Sequence, residues 1–158
     1  MLMKNKFVEK WQSLPPLKLC LLVYGADFFI SAFLSVVLFP DMGGSDINQI
    51  KSVTERILVA VVLAPLRETV IFQGFILRKL VQWTGHKTFA VVAGALLFGL
   101  AHHYNIPYVV KAFIAGILYN LLYLSLKQRG ARAIAYVAGT HMLHNLTVFI
   151  LTAVFFEQ

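Results

Sequence analysis

The sequence has little charge and almost no cysteine. Charged residues make up 13% of its 158 residues, against about 25% in soluble domains, and this shortage excludes an ordinary soluble domain. Cys20 is the single cysteine, which excludes an internal disulfide and a cysteine-based metal site. Hydrophobic residues instead make up 59%, and the mean hydropathy of +0.74 is typical of a protein whose solvent is lipid.

The net charge of +7 does not indicate a nucleic-acid partner. The basic residues form no stripe with interleaved aromatic residues, which is the pattern that a nucleic-acid-binding face requires. They lie between the apolar runs instead. We therefore expect membrane lipid, and not nucleic acid, to contact the chain.

Five apolar segments are long enough, or nearly long enough, to cross a bilayer. A spanning helix needs about 20 mostly apolar residues, because it rises 1.5 Å per residue through a hydrocarbon core about 30 Å thick. The segments are 19–39, 57–77, 89–101, 108–126 and 133–156. The third is short, and we expect it to extend back toward His86 or on through His103. The pattern predicts an all-α, polytopic transmembrane helix bundle of about five spans.

The basic residues also predict the orientation of an integral, multi-pass membrane protein. Ten lie in the N-terminal arm and in the second and fourth connections: Lys4, Lys6, Lys10, Lys18, Arg78, Lys79, Lys87, Lys127, Arg129 and Arg132. The alternate connections hold Lys51, Arg56 and Lys111. Because Lys and Arg of short loops are retained in the cytoplasm, the N-terminus is predicted to be cytoplasmic and the C-terminus outside.

Two segments outside the spans have their own character. Residues 1–18 form a basic arm, which we interpret either as an interfacial anchor on an anionic leaflet or as a solvated tail. Residues 41–49, with two glycines and two aspartates, are typical of an exposed loop on the outer side.

Small residues recur four apart on three of the predicted helices. The pairs are Ala90 with Gly94, Ala112 with Gly116, and Ala135 with Gly139. In lipid, such steps let two helix backbones approach closely. They predict a compact bundle.

A few polar side chains lie within the predicted spans. An ionisable group at the bilayer centre costs at least about 2.5–3.5 kcal/mol, so each one needs a partner or a function. They are Asp27, Arg67, Glu68, His102, His103, His141, His144 and Asn145.

Glu68, His141 and Asn145 agree in depth. Glu68 precedes Arg78 by ten residues and His141 follows Arg132 by nine, so both lie roughly 14–15 Å from the inner charged boundary. Asn145 is four residues after His141 and projects from the same helix face. His102 lies nearer the outer side by this count and would reach Glu68 from a tilted helix.

Pro65 stands three residues before Glu68. Proline has no N–H, so we expect the carbonyl of Val61 to lose its helical donor and the helix to kink there. A kinked, partly hydrated helix is a suitable place for a reactive water. In the alternative interpretation, Glu68 is only the ion-pair partner of Arg67 or of a residue on another helix.

Three motifs follow one another on successive apolar segments. They are Glu68 with Gly74 after it, Phe98 with His102, and His141 with Asn145. In this order they resemble the CAAX protease and bacteriocin-processing enzyme family, also called the Abi family, of intramembrane glutamic proteases. The motifs of that family are Glu-Glu-xxx-Arg, Phe-xxx-His and His-xxx-Asn, each on a separate helix. The resemblance covers residues 65–145.

The first motif departs from the family pattern at two positions. Thr69 stands where the family has its second Glu, and Gln73 stands where it has Arg. The family's pair is four apart on a helix, which suits an ion pair. Replacing both members by neutral hydrogen-bonding groups leaves no unpaired charge, so Thr69 and Gln73 are interpreted as a coherent supporting variant.

The resemblance implies an intramembrane endopeptidase whose core spans about 57–156, within a membrane domain at 19–158. Glu68 with His102 would activate a water, and His141 with Asn145 would stabilise the oxyanion, while Arg67 is a candidate modulator. No cofactor is implied. The substrate would be a membrane-associated peptide or protein, either prenylated or bacteriocin-like.

Three other functions fit parts of the pattern. The two histidines and Glu68 match a three-ligand zinc site, but there is no His-Glu-xx-His motif, so a zinc metalloprotease ranks second. A catalytically inactive binding, immunity or scaffold protein of the same family would explain the altered first motif. A proton-coupled transporter would explain the intramembrane acids and histidines, although five spans without a repeat are few for one.

Overall fold

A computed structural model of the protein describes residues 13–39 and 52–155. All regular structure in these ranges is helical, which confirms the all-α prediction. The helices are α1 at Pro16–Leu38, α2 at Val53–Thr84, α3 at Lys87–Ala101, α4 at Ile106–Gln128 and α5 at Ala133–Phe155. Most of the basic arm and the whole of the loop at 41–49 lie outside the described residues.

Four of these helices are long and apolar enough to cross a membrane: α1, α2, α4 and α5. The chain is therefore an integral membrane protein built as a helix bundle. The third helix has 15 residues, which is about 22 Å at 1.5 Å per residue. It is too short to cross a hydrocarbon core of about 30 Å by itself.

The expected extension of the third helix is wrong. His86 lies in an extended conformation before α3, and His102 leaves the helical region with φ −101° and ψ 44°. The next helix begins almost at once, because the side chain of Asn105 accepts a hydrogen bond from the N–H of Tyr108 at 2.8 Å. Pro107 in the first turn of α4 fits the same start.

The helical hairpins α2–α3 and α4–α5 determine which residues share a depth. Each turn contains a glycine with φ of 70°, Gly85 in the first and Gly130 in the second. Glu68 and His102 are each 17 residues from Gly85. Counted from the turn that joins their helices, they lie at one level, and His102 needs no tilted helix.

The backbones of α3 and α4 pack closely. A Cβ atom added to Gly116 would lie 3.0 Å from the Cα of Ala95, and one added to Gly99 would lie 3.0 Å from the carbonyl oxygen of Val109. These contacts leave no room for a side chain. The close approach brings the end of α3 against the start of α4.

The small-residue pairs predicted to pack helices have different outcomes. Two are buried as expected: Ala90 with Gly94, and Ala112 with Gly116. The expectation for the third pair is wrong, because Ala135 and Gly139 are exposed and no atom of another element lies within 4 Å of a Cβ on Gly139. That side of α5 faces outward.

Wide π-helical turns occupy much of α2. They cover Ile57–Leu63 and Thr69–Leu77 and flank a short α-helical stretch at Ala64–Glu68. In the first of them the N–H of Ala64 donates to the carbonyl of Val59, five residues back. π-Turns are frequent at functional sites, and Glu68 lies where α-helical bonding gives way to the second one.

The π register changes which carbonyl Pro65 leaves without a donor. One residue after the bond from Ala64 to Val59, the N–H of residue 65 would donate to the carbonyl of Ala60, but proline has none. The expectation that Val61 is the affected residue is therefore wrong. The Nδ2 of Asn145 on α5 donates to the Ala60 carbonyl instead, at 2.9 Å.

A buried carboxylate attaches α1 to the rest of the bundle. Asp27 is 1% exposed, and its Oδ2 accepts a hydrogen bond of 2.6 Å from the hydroxyl of Tyr119 on α4. The same oxygen lies 3.0 Å from the Nδ1 of His144 on α5, within ion-pair distance although the atoms are not aligned as a hydrogen bond. One side chain of α1 thus contacts both helices of the second hairpin.

Candidate active site

Three of the predicted site residues converge inside the bundle. The Oε2 of Glu68 on α2 lies 3.6 Å from the Nε2 of His102 at the end of α3. The same oxygen lies 3.9 Å from the Nε2 of His141 on α5. One carboxylate oxygen therefore faces two imidazole rings from two other helices.

The end of α3 fixes the ring of His102. Its Nδ1 lies 2.7 Å from the carbonyl oxygen of Phe98, and since a carbonyl only accepts, Nδ1 carries the hydrogen. The neutral ring then presents an unprotonated Nε2 to Glu68. Two acceptors that face each other at 3.6 Å need a proton on one of them or a donor between them.

His141 is the most deeply buried member of the site. It is 7% exposed, and its Nδ1 has no hydrogen-bond partner among the described residues. The ring of Tyr119 packs against it with centroids 4.8 Å apart. Tyr119 and His141 are each 11 residues from Gly130, so the α4–α5 hairpin places them level.

Aromatic rings enclose the three polar side chains. The ring of Phe98 lies 4.6 Å from that of His102 and 6.0 Å from that of His141, measured between centroids. Phe72 packs edge-on against Phe98 at 5.1 Å. These rings limit the water that reaches the carboxylate, and they assign the Phe of the second motif a place between the two histidines.

Asn145 lies one turn beyond His141 on α5. Its donor to the Ala60 carbonyl uses one of the two N–H groups that a carboxamide carries. The contact bridges α5 and the helix that carries Glu68, only eight residues before Glu68 in sequence. Asn145 thus belongs to the same pair of helices as the site.

The other polar residues noted in the sequence lie elsewhere. Arg67 is exposed, and no ion pair joins it to Glu68. Glu68 is therefore not the ion-pair partner of Arg67, and its near neighbours are the two histidines on other helices. His103 is exposed and stacks on Tyr104.

The site residues lie within a stretch that matches a known family. The model of the type II CAAX prenyl endopeptidase Rce1-like family matches residues 51–147, more than half of the chain. The chain belongs to this family. No curated protein and no solved structure gives a significant match. The recognition of a CAAX protease family from three short motifs is confirmed.

In this member of the Rce1-like family, the altered first motif takes part in a neutral hydrogen-bond chain. The Nε2 of Gln73 donates to the Oδ1 of Asn120 at 3.1 Å, and the Nδ2 of Asn120 donates to the carbonyl of Val91 at 2.9 Å. The chain joins α2, α4 and α3. Thr69 is fully buried, and its hydroxyl has no partner in the described ranges, so Gln73 does not pair with Thr69.

Sequence reasoning missed Asn120 and the two tyrosines beside the histidines, Tyr108 and Tyr119. Asn120 could have been found as a polar residue in the middle of a predicted span, a position where a partner is needed. The tyrosines carried no such signal, because aromatic residues are common in membrane helices. Their relation to the histidines follows from the positions of the turns.

A metal site was the second interpretation of the Glu and His residues. Within 13–39 and 52–155, no three His, Cys, Asp or Glu side chains have the arrangement of a metal site. The expectation that this family member works without a cofactor remains a prediction, to be checked by chelation.

Proposed function

We propose that the protein is an intramembrane endopeptidase that hydrolyses a peptide bond of a membrane-associated peptide or protein. Glu68 and His102 activate the water, and His141 and Asn145 stabilise the oxyanion. The observation that carries the proposal is the carboxylate of Glu68 opposite the Nε2 atoms of His102 and His141, at 3.6 and 3.9 Å. Family membership supports the peptidase class.

The contact between Glu68 and His102 suits a shared water. At 3.6 Å the two atoms are farther apart than in a direct hydrogen bond, and a water between them can donate one hydrogen to each. Such a water has its lone pairs directed away from both bases. Proton transfer to a positioned carboxylate or imidazole then generates the nucleophile.

His141 would act on the opposite side of the scissile bond. Its Nε2 is within 3.9 Å of Glu68, so a substrate carbonyl over the activated water would also lie near this ring. A donor held in a buried, water-poor place stabilises a developing oxyanion more than the same donor in water. Asn145 would add a second donor through the N–H that does not bond Ala60.

The direct test compares purified wild-type protein with Glu68→Gln. The substitution keeps the shape of the side chain and removes its basicity, so we expect no cleavage of a prenylated C-a-a-X peptide. Glu55→Gln is the matched control, because Glu55 lies on the same helix and is exposed. Cleavage at the wild-type rate by Glu68→Gln would remove the catalytic assignment.

The zinc metalloprotease alternative has its own test. If Glu68 and the histidines act without a metal, exhaustive treatment with a chelator followed by assay in metal-free buffer leaves the rate of peptide cleavage unchanged. Loss of activity that returns on addition of zinc alone would favour the metal mechanism.

A catalytically inactive binding or immunity protein is the second candidate. The altered first motif favours it, because Thr69 leaves a buried hydroxyl without a partner in the described part of the chain. In that case Glu68→Gln protein would accumulate normally and keep the cellular phenotype of the wild type. An active peptidase would lose the phenotype with this substitution.

A further inference from the structure

A cation lies beside the proposed site, at the start of α4. The ring of Tyr108 stacks on that of His102, with centroids 5.7 Å apart, and the Nζ of Lys111 lies 5.7 Å from the centroid of Tyr108. The two distances together place the ammonium no farther than about 11 Å from the His102 ring. Lys111 is thus connected to the site through one aromatic ring.

The charge of Lys111 is only partly compensated. Its Nζ donates to the hydroxyl of Ser35 on α1 at 3.2 Å, and an ammonium has three donors. In the part of the chain that the structure describes, no carboxylate lies within ion-pair distance of it. The first turn of α4 has no acidic residue either. A half-buried cation in an apolar protein needs an anion, and two of its donors are available for one.

The geometry matches the end of a C-a-a-X substrate. The terminal carboxylate of such a segment lies three residues after the prenylated cysteine, or about 10 Å in an extended chain. An endopeptidase that cuts next to this cysteine has the carboxylate about that far from its catalytic groups. Lys111 lies at a comparable distance from His102.

We propose that Lys111 binds the free C-terminal carboxylate of the substrate and thereby selects peptides that end three residues beyond the scissile bond. This inference rests on the proposed endopeptidase function. The ammonium and the carboxylate form a charge-assisted hydrogen bond, while Ser35 holds the lysine side chain across from α1. The binding energy is used to set the register of the peptide over Glu68.

The experiment compares two prenylated peptides of one sequence, with a free C-terminal carboxylate and with a C-terminal amide, in zwitterionic phosphatidylcholine vesicles. We expect wild-type protein to have a KM for the amide that is roughly 10- to 100-fold higher, the factor that a hydrogen bond to a charged group contributes. This comparison needs no variant.

Variants then assign the preference to Lys111. Lys111→Met keeps the apolar stem and should cleave both peptides with the KM that the wild type has for the amide, whereas Lys111→Arg should retain the preference for the acid. Ser35→Ala is the control, because it removes the hydroxyl contact and keeps the ammonium. Unchanged cleavage of the amide by Lys111→Met also shows that this variant is folded.

Three results would overturn the inference. Equal KM values of the wild type for acid and amide would do so while leaving the proposed function intact, and so would a Lys111→Met protein that keeps the preference. An effect of Lys111→Met seen only with anionic phosphatidylglycerol vesicles would assign the lysine to a lipid phosphate. If the wild type cleaved neither peptide, the proposed function itself would fail, and this inference with it.

Discussion

At the scale of single residues, the polar side chains of the bundle divide into two groups. Glu68, His102 and His141 contact one another at distances too long for direct hydrogen bonds, and they are available for a substrate or a water. Asp27 and Tyr119 are held at 2.6 Å, and their contact is structural. The first group could be predicted from motif spacing, whereas Tyr119 could not, because a tyrosine in an apolar helix carries no sequence signal.

The bond between Asp27 and Tyr119 predicts a stability effect. Tyr119→Phe removes the donor and leaves a buried carboxylate with only His144 beside it. We expect the free energy of unfolding to fall by about 1.5–3 kcal/mol, the contribution of a hydrogen bond to a charged group. Thermal unfolding of the purified protein in detergent measures the loss.

Tyr123→Phe is the matched control for this prediction. Tyr123 lies one turn further along α4 and is 2% exposed, and among the described side chains it has no hydrogen bond of the kind that Tyr119 makes. Its substitution should change the unfolding temperature little. Equal losses for the two variants would show that the Asp27 contact contributes nothing of its own.

At the scale of elements, the turns decide which residues meet. Glu68 and His102 are equidistant from Gly85, and Tyr119 and His141 are equidistant from Gly130. Depth counted from the nearest basic residue put Glu68 and His141 level but placed His102 too far out. The count from the glycine turns would have succeeded, because antiparallel neighbours joined by a short turn share a depth at equal distances from it.

The π register of α2 could not be predicted from the sequence. Proline at 65 indicated a carbonyl without a donor, but the identity of that carbonyl depends on whether the helix is bonded four or five residues back. The structure has the wider register, so Ala60 and not Val61 receives the amide of Asn145. Asn145 therefore supports the helix that carries Glu68 whatever it does in catalysis.

The two roles of Asn145 can be separated by a double-mutant cycle with Pro65. Asn145→Ala leaves the Ala60 carbonyl without a donor and should lower the free energy of unfolding by about 1–3 kcal/mol. In a Pro65→Ala background the restored N–H can serve that carbonyl, so the loss should be smaller. Thermal unfolding of the four proteins measures the coupling.

The catalytic role of Asn145 is measured in the same proteins. Loss of one oxyanion donor costs on the order of 10²–10³ in kcat, and this loss should persist in the Pro65→Ala background. A kcat that recovers with stability would mean that Asn145 only positions α2. Equal stability losses in both backgrounds would contradict the assignment of the Ala60 carbonyl.

At the scale of the whole molecule, the sequence predicted most of what the structure contains. Low charge and long apolar runs determine an all-α membrane bundle, and the three motifs were enough to identify the family before its model was found to match residues 51–147. The cytoplasmic N-terminus stays a prediction from the basic residues. The first helix lies almost entirely outside the family match, yet Asp27 connects it to the proposed site.

The polar cluster inside the bundle defines the central claim, which is that Glu68 makes this membrane protein a peptidase. Mass spectrometry of membrane peptides from cells that carry wild-type, Glu68→Gln or Glu55→Gln protein at equal abundance tests it most directly. The account predicts cleavage products that are present with wild type and Glu55→Gln and absent with Glu68→Gln. The same products with Glu68→Gln would contradict it.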